Sequence, residues 1–319
     1  MKFHYYLLVN QAAGGGNGKK VSDQICSLMK QQNYSFTTYL TQYPDHELEL
    51  VAELAEHTLR PFDSESTKEY FPLLVVIGGD GTLHQVINQL KMMGKERPIA
   101  YIPAGSGNDF ARGIGLPREA EQAFQRIIHT TQPRSVNILT YEEAIQERSG
   151  ISVNNIGIGL DAAIVHRTNH SVTKENLNKY NLGSFSYIAS VIHVLFKQKG
   201  FPILIEANGQ TYHYDKAFLC TTTNHPYFGG GVGIAPMADI NKTTLDLVVV
   251  ERLPMYKIAW LIFLLLRKKH HLSKYYHHLS GTKVRLVSPT PQFSQADGEV
   301  LGKGPYDLAI ALTTQLFWC

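Results

Sequence analysis

Hydrophobic positions divide this chain into two parts with different rhythms. Through the first 130 residues, short apolar runs alternate with stretches in which apolar positions recur every three or four residues. The short runs predict strands at Phe3–Val9, Tyr34–Thr41, Leu73–Ile77 and Ile99–Ile102, the central one apolar enough to be buried on both faces. The spacing predicts helices through Val21, Ile25, Leu28 and Met29, through Leu48, Val51, Leu54 and Ala55, through Leu83, Val86, Ile87 and Leu90, and from Phe110 to Ile114. This βαβαβα alternation gives a doubly wound parallel sheet with helices on both faces.

From about residue 134 the rhythm shortens. Alternating segments at Ser135–Leu139, Gly150–Ile156, Ile203–Ala207, Thr211–Thr222, Thr244–Val250, Thr282–Leu286 and Leu308–Leu312 predict strands, and Asn208-Gly209 is a hairpin signal between two of them. Helices are expected at Phe185–Phe196 and roughly Met255–Leu279. The chain therefore divides into an α/β domain over residues 1–133 and a β-rich domain over 134–305, with a tail, 306–319, free to return to the first.

Three predicted strands run into glycine-rich turns that open helices. The central one reads Gly78-Gly79-Asp80-Gly81-Thr82-Leu83-His84. At the carboxyl end of a parallel strand such a turn binds anions, because backbone N–H groups point outward and the helix dipole adds positive charge. Asp80 is the odd member: a carboxylate beside a phosphate repels it unless a cation intervenes, so Asp80 suggests a magnesium-bound nucleotide. The alternative is a tight turn with Asp80 as a helix cap. The first turn, Asn10-Gln11-Ala12-Ala13-Gly14-Gly15-Gly16-Asn17-Gly18-Lys19-Lys20, fails the P-loop spacing, with Ala13 where a glycine is needed and Lys20 in place of Ser or Thr. It reads as part of a shared phosphate pocket or as a flexible linker. In the third, Pro103-Ala104-Gly105-Ser106-Gly107-Asn108-Asp109-Phe110-Ala111-Arg112, Ser106 can donate to a phosphate. Asp109 can bond a hydroxyl, hold a cation or cap the helix. Phe110 in the third glycine position rules out a dinucleotide fingerprint.

Composition narrows the function classes. Charged residues are 18% and hydrophobic residues 44%, as in a globular protein. A net charge of +3 gives no case for nucleic acid as the main partner. Cys26, Cys220 and Cys319 are too few and too scattered for a disulfide framework or zinc site and suit a reducing, cytoplasmic setting. Met1–Val9 reads as the first strand, and no apolar run reaches a membrane span, the longest being Ile258–Leu266 before Arg267-Lys268-Lys269. That stretch, with Trp260, Leu261, Phe263, Leu264 and Leu265, reads either as a core helix with a solvated basic end or as a contact with an anionic bilayer. The pairs His270-His271 and His277-His278 read as ordinary surface rather than a metal site.

Two further turns in the second half carry polar groups: Asn155-Ile156-Gly157-Ile158-Gly159-Leu160-Asp161 and Gln295-Ala296-Asp297-Gly298-Glu299. Together with the three earlier turns and with Ile234-Ala235-Pro236 and Leu245-Asp246, they make the chain resemble the diacylglycerol kinase catalytic-domain family, which includes bacterial lipid kinases and sphingosine and ceramide kinases. The blocks occur in the family's order over almost the whole length. GGDGT alone is shared with NAD kinases, whereas GSGNDFAR with the late DGE is specific.

The resemblance implies an NAD kinase- and phosphofructokinase-like nucleotide domain followed by a β-sandwich-like domain, with the active site in the cleft between them. It implies that Asn10, Gln11, Ala12, Ala13, Gly14, Thr41, the stretch Gly78–His84 and Ser106 line an ATP site, with Asn108 and Asp109 beside them. It further implies Glu299 as catalytic base and Asp80 at the magnesium–phosphate centre. Asp297 competes with Glu299, its other role being a turn residue before Gly298. Two departures stand out. His84 replaces a common Asn, and Asp239-Ile240-Asn241-Lys242-Thr243-Thr244 has Lys242 where an acidic ligand of a structural magnesium is expected, so Asp239 is left as its one candidate ligand.

The function expected is transfer of the ATP γ-phosphate to a lipid hydroxyl, diacylglycerol first, by a cytoplasmic enzyme working peripherally at a membrane surface, with a homodimer left open. The rivals are a soluble NAD-type metabolite kinase and a nucleotide-binding regulator without turnover.

Overall fold

The computed structural model describes residues 2–63, 70–170 and 191–319, without the side chains of residues 169 and 170. Its chain forms two units: Met1–Ile138 with Tyr227–Val232 and Thr313–Cys319, and Leu139–Pro226 with Gly233–Leu312. The division falls a few residues later than the change of rhythm at residue 134, inside a strand. The returning tail is shorter than 306–319, and the excursion at 227–232 carries no signal in the hydrophobic pattern.

In the first unit, β1 (Lys2–Val9), β2 (Ser35–Leu40), β3 (Tyr70–Gly78) and β4 (Ile99–Pro103) form a parallel sheet in the order β4-β3-β1-β2. The register places Val9 beside Ile77 and Ile77 beside Ile102, so β1, β3 and β4 end level with one another. Among the described residues, helices connect or flank the strands: α1 (Ala13–Gln31), α2 (His46–His57), α3 (Asp80–Met92), α4 (Asp109–Gly113) and α5 (Ala120–His129). Alternate residues of each strand bury on opposite faces, as the strand period requires. Leu7, Leu73, Val75 and Ala100 pack with Ile25, Phe124 and Ile127 of α1 and α5. Leu74 and Val76 are equally buried, as are Val51 and Leu54 of α2 and Val86, Ile87 and Leu90 of α3. At the chain end Phe317 pairs in parallel with Ile99, Trp318 donates its indole N–H to the Ile127 carbonyl, and its ring meets Phe3, Phe62 and Phe71.

The second unit is built on antiparallel pairing. It takes the second half of β5 (Arg134–Glu143), then β6 (Arg148–Ser152), β7 (Asn155–Gly159), α6 (Leu160–His170), β8 (Phe201–Ala207) and β9 (Gln210–Thr223). Residues 191–197 are helical, and the rest of the helix expected at Phe185–Phe196 lies outside the described residues. After β10 (Tyr227–Phe228) and β11 (Val232–Gly233) come β12 (Leu245–Glu251), α7 (Met255–Leu266), β13 (Tyr276–Gly281), β14 (Lys283–Ala296) and β15 (Glu299–Phe317). Strand β9 pairs with β7, β8 and β12, and β14 with β7, β8 and β15. The core between them includes Ile156, Ile158, Phe201, Ile205, Leu247, Leu286 and Leu308. Asn208 and Gly209 both have positive φ between Ala207 and Gln210, the hairpin turn expected there.

Two expected elements differ. Gly150–Ile156 is two strands, β6 and β7, broken at Val153-Asn154 where the amides turn to the Asp297 carboxylate. The long helix from Met255 stops at Leu266: Lys268 is left-handed, φ 56°, and the Lys268 and Lys269 amides return to the Leu265 and Leu264 carbonyls, at 2.9 and 2.8 Å. This is a Schellman ending made with lysine instead of glycine.

Candidate active site

Because β1, β3 and β4 end level, their glycine turns meet. A Cβ on Gly105 would fall 2.6 Å from the Gly79 Cα, and one on Gly14 would fall 2.4 Å from the Ala104 carbonyl oxygen. Only glycine permits that approach. Side chains lock the cradle from behind. Asn10 donates to the Thr82 hydroxyl at 2.9 Å and accepts from the Ala12 amide, while Asn17 donates to the Ala104 carbonyl. Asn108, left-handed at φ 51°, bonds both the N–H and the C=O of Gly105. The Thr41 amide ties the end of β2 to the Val9 carbonyl. Gln11 is half-buried at the same turn, with its carbonyl accepting from Lys19. Ser106 is exposed on the third turn, where its hydroxyl can reach a ligand.

The acidic residues of this cradle form a relay of contacts. The Asp80 carboxylate accepts the Asp109 amide at 2.9 Å and the Phe110 amide at 3.3 Å, so it caps the start of α4 instead of its own helix. Asp109 is buried, and its two oxygens take the Arg112 guanidinium at 3.1 Å and the Gly230 amide at 2.7 Å. Arg112 in turn lies over the Tyr227 ring, against Gly231. The excursion at 227–232 thus serves to close Asp109 and Arg112 on α4. Its signal in the sequence was the run Gly229-Gly230-Gly231, all at positive φ here. Leu83 and His84 are buried in α3, and the Leu83 amide is taken by the Gly79 carbonyl, so these two shape the turn from inside.

In the second unit β14 and β15 meet at a two-residue turn in which Asp297 and Gly298 both have positive φ and Ala296 pairs with Glu299. The Asp297 carboxylate accepts four bonds, from the Ser152 hydroxyl and the Val153, Asn154 and Asn155 amides. It anchors the β6–β7 break to the hairpin. Glu299, half-exposed at the first position of β15, adds to the raised proton affinity of the Tyr141 phenol, whose main cause is burial. Behind the hairpin His225 is enclosed, its Nε2 3.0 Å from Asn154 Oδ1, and burial lowers its pKa to about 4.

Asp161, in the first turn of α6, is a carboxylate enclosed beneath the Asn155–Asp161 turn. Its Oδ2 accepts from Gln295 at 3.2 Å, and its Oδ1 has no hydrogen-bond partner among the described residues. Burial pushes its pKa up to about 6. No sequence pattern tells a carboxylate that lines a turn from one enclosed beneath it.

Two places bear on metal chemistry. Among the described residues no group of three His, Cys, Asp or Glu side chains could hold an ion by itself. Asp80 nonetheless fits a magnesium brought in with phosphates: it is oriented by two amides, and Mg²⁺ is commonly held by one or two carboxylates plus substrate oxygens. The loop at Asp239 does not fit. Asp239 is exposed, its Oδ1 accepts the Asn241 amide and side chain, and the Lys242 ammonium sits 3.2 Å from the Met237 carbonyl. A lysine supplies the positive charge there. The histidines have other partners: buried His270 bonds the Ile234 carbonyl and meets the His271 ring edge-on, while His277 and His278 pair with Glu251 and Asp246.

Comparison with known proteins gives two family matches. Residues 4–141 match the diacylglycerol kinase catalytic domain, and residues 154–313 match the YegS C-terminal NAD kinase beta sandwich-like domain. The candidate lipid kinase YtlR of Bacillus subtilis is 29% identical over 96% of this chain and 96% of its own. A Bacillus subtilis diacylglycerol kinase is 23% identical over 94% of this chain and 90% of its own. Among solved structures, a candidate diacylglycerol kinase from Bacillus anthracis superposes with TM-score 0.74 at 23% identity, over 99% of this chain and 95% of the other. Yeast NADH kinase shares the fold at TM-score 0.51 and 10% identity, over 99% of this chain and 83% of the other.

Proposed function

This chain belongs to the diacylglycerol kinase catalytic-domain family, and from that premise we propose that it transfers the γ-phosphate of ATP to a lipid hydroxyl, with diacylglycerol the leading acceptor. It is a kinase-type phosphotransferase of the lipid kinase family. The observation that carries the finer reading is the Asp80–Asp109–Arg112 arrangement at the touching glycine turns. In this reading the three turns hold the nucleotide phosphates with backbone amides and Ser106, and Asp80 would hold magnesium. Magnesium supplies neutralisation of phosphate charge, the main requirement of phosphoryl transfer. The Asp109 carboxylate keeps Arg112 and the 227–232 loop closed around α4. Glu299 takes the proton of the attacking hydroxyl, and Asp297 holds the hairpin that presents it. In this reading Asp161 joins these as a buried acid held by Gln295, next to the Asp297 hairpin.

A lipid acceptor resides in a membrane, so the enzyme works peripherally at a membrane surface, from the cytoplasm. No described helix is long and apolar enough to cross one, and the three cysteines are free thiols.

The test is phosphate transfer from labelled ATP to diacylglycerol, monoacylglycerol, ceramide, sphingosine and phosphatidylglycerol in mixed micelles, with NAD as a soluble control. Magnesium-dependent labelling of one lipid is expected. Glu299→Gln should reduce it by roughly 10²- to 10⁴-fold while ATP still binds. Labelling of NAD, or of nothing, overturns the reading.

A further inference from the structure

Helix α7 is apolar on both sides, and the described residues account for only one of them. Its inner side, with Ile258, Leu261 and Leu265, closes over an apolar cavity lined also by Phe218, Ile234 and Val250. Its outer side carries Tyr256, Trp260, Phe263 and Arg267, spaced four, three and four residues apart and therefore in one stripe. Tyr256 is 71% exposed, Trp260 56%, Phe263 43% and the adjoining Leu266 79%. Trp260 and Phe263 stack at 5.3 Å, and the Arg267 guanidinium lies 5.1 Å over Phe263, so the stripe packs on itself while it faces water. A surface helix that is hydrophobic all round needs a second apolar partner.

Charge indicates which partner. From Arg252 to Ala296 there are eight Lys and Arg and no Asp or Glu, whereas the whole chain has 30 and 27, so the remainder is net acidic. The lysine-made Schellman ending puts Arg267, Lys268 and Lys269, all exposed, directly beside the stripe. Favourable interaction with the helix dipole explains basic residues at this end but not the aromatic stripe beside them. Trp and Tyr with flanking lysines on a helix of twelve residues, about 18 Å long, suit the headgroup region, and the helix is too short to span.

We propose that the outer face of α7 is the docking surface of this protein for an anionic lipid bilayer, with Trp260, Phe263 and Leu266 entering the headgroup–acyl boundary and Arg267, Lys268 and Lys269 meeting lipid phosphates. The proposal rests on the lipid-kinase reading for its purpose, while its test runs without ATP, so that either can fail alone.

The chain has two tryptophans, and Trp318 is buried, so Trp318→Phe leaves Trp260 as the sole reporter. Its emission should shift to the blue and be quenched by brominated acyl chains on adding phosphatidylglycerol–phosphatidylcholine vesicles, and hardly respond to pure phosphatidylcholine. Unmodified protein should co-sediment with the same vesicles, less so as salt rises. Replacing Arg267, Lys268 and Lys269 together by Gln should weaken vesicle binding about a hundredfold. Trp260→Ser with Phe263→Ser should weaken it too, with turnover of a dispersed short-chain acceptor unchanged. Unaltered Trp260 emission on anionic vesicles overturns the proposal, as does undiminished binding by the charge variant. So does a concentration-dependent dimer lost in the Trp260→Ser, Phe263→Ser protein, or Trp260 shielded from acrylamide in the free protein; these would assign the face to a second copy or to the chain's own residues.

Discussion

Asp161 offers the sharpest test of how this site is built. Its side chain is 3% exposed, and Gly157 faces it so closely that a Cβ there would lie 1.6 Å from Oδ2. Burial penalises the charged form and raises the pKa from 3.8 to about 6, against the opposing hydrogen bonds of Gln295 and the Ala162 amide. The native protein therefore holds this proton more tightly than the unfolded chain does. The sign follows: Asp161 contributes stability that is fully present below about pH 3.8 and lost as pH rises through about 6. About two pKa units correspond to roughly 3 kcal/mol.

Asp161→Asn keeps the shape and removes the titration. At pH 7.5 the variant should be more stable than the natural chain by up to about 2 kcal/mol, taking off about 1 kcal/mol for an amide hydrogen left without an acceptor at Oδ1. Near pH 4 the advantage should vanish or reverse. Urea unfolding in the Trp318→Phe background, where Trp260 reports on the second unit, measures both. An equal difference at both pH values would refute the reasoning, because a pH-independent effect cannot come from ionisation. Stability gained together with activity lost would show that the carboxylate is kept for its charge.

Other substitutions separate anchoring from chemistry. Asp297→Ala strips three amides and a hydroxyl of their acceptor and should destabilise by roughly 3–5 kcal/mol, seen as a lower urea midpoint. Gly105→Ala pushes a methyl into Gly79 and should cost about 1–3 kcal/mol. Its larger effect should be on ATP affinity by calorimetry, because the two turns can no longer touch. Lys242→Met should change stability by less than about 1 kcal/mol, and the natural chain without nucleotide should melt at the same temperature with or without magnesium. Lys242→Asp should make that melting temperature respond to magnesium.

Where the local pattern and the fold agree, the sequence was informative. Buried parallel strands such as Leu73–Ile77 have no solvent face to blur them, and the glycine turns after them mark where the sheet ends. What stayed hidden depends on residues far apart in the chain. The break between β6 and β7 is made by Asp297, more than 140 residues later. The end of α7 rests on a left-handed lysine, a conformation that residue type does not announce. The 227–232 loop joins the first unit through a backbone amide to Asp109, which no side-chain pattern records. For the same reason the turn alone left Asp80 between a magnesium partner, the favoured reading, and a cap of its own helix: it caps the start of α4 instead.

These carboxylates differ less in type than in what already holds them. A carboxylate bound by amides, such as Asp80 or Asp297, is fixed in direction. That suits a template for a cation or a loop and is a poor start for a general base. Asp109 is held by a guanidinium and a glycine amide, so its charge is spent on closing α4. Glu299 stands two residues past the anchored Asp297, at the first position of a strand and half-exposed, with one more methylene than aspartate to reach outward. The hairpin turn makes that division obligatory. With both turn residues at positive φ and Ala296 paired to Glu299, Asp297 cannot release residues 152–155 without also moving Glu299. If Glu299 is the base, as proposed, loosening its anchor misplaces it, so Asp297→Asn should lower kcat with little change in KM in protein that is still folded.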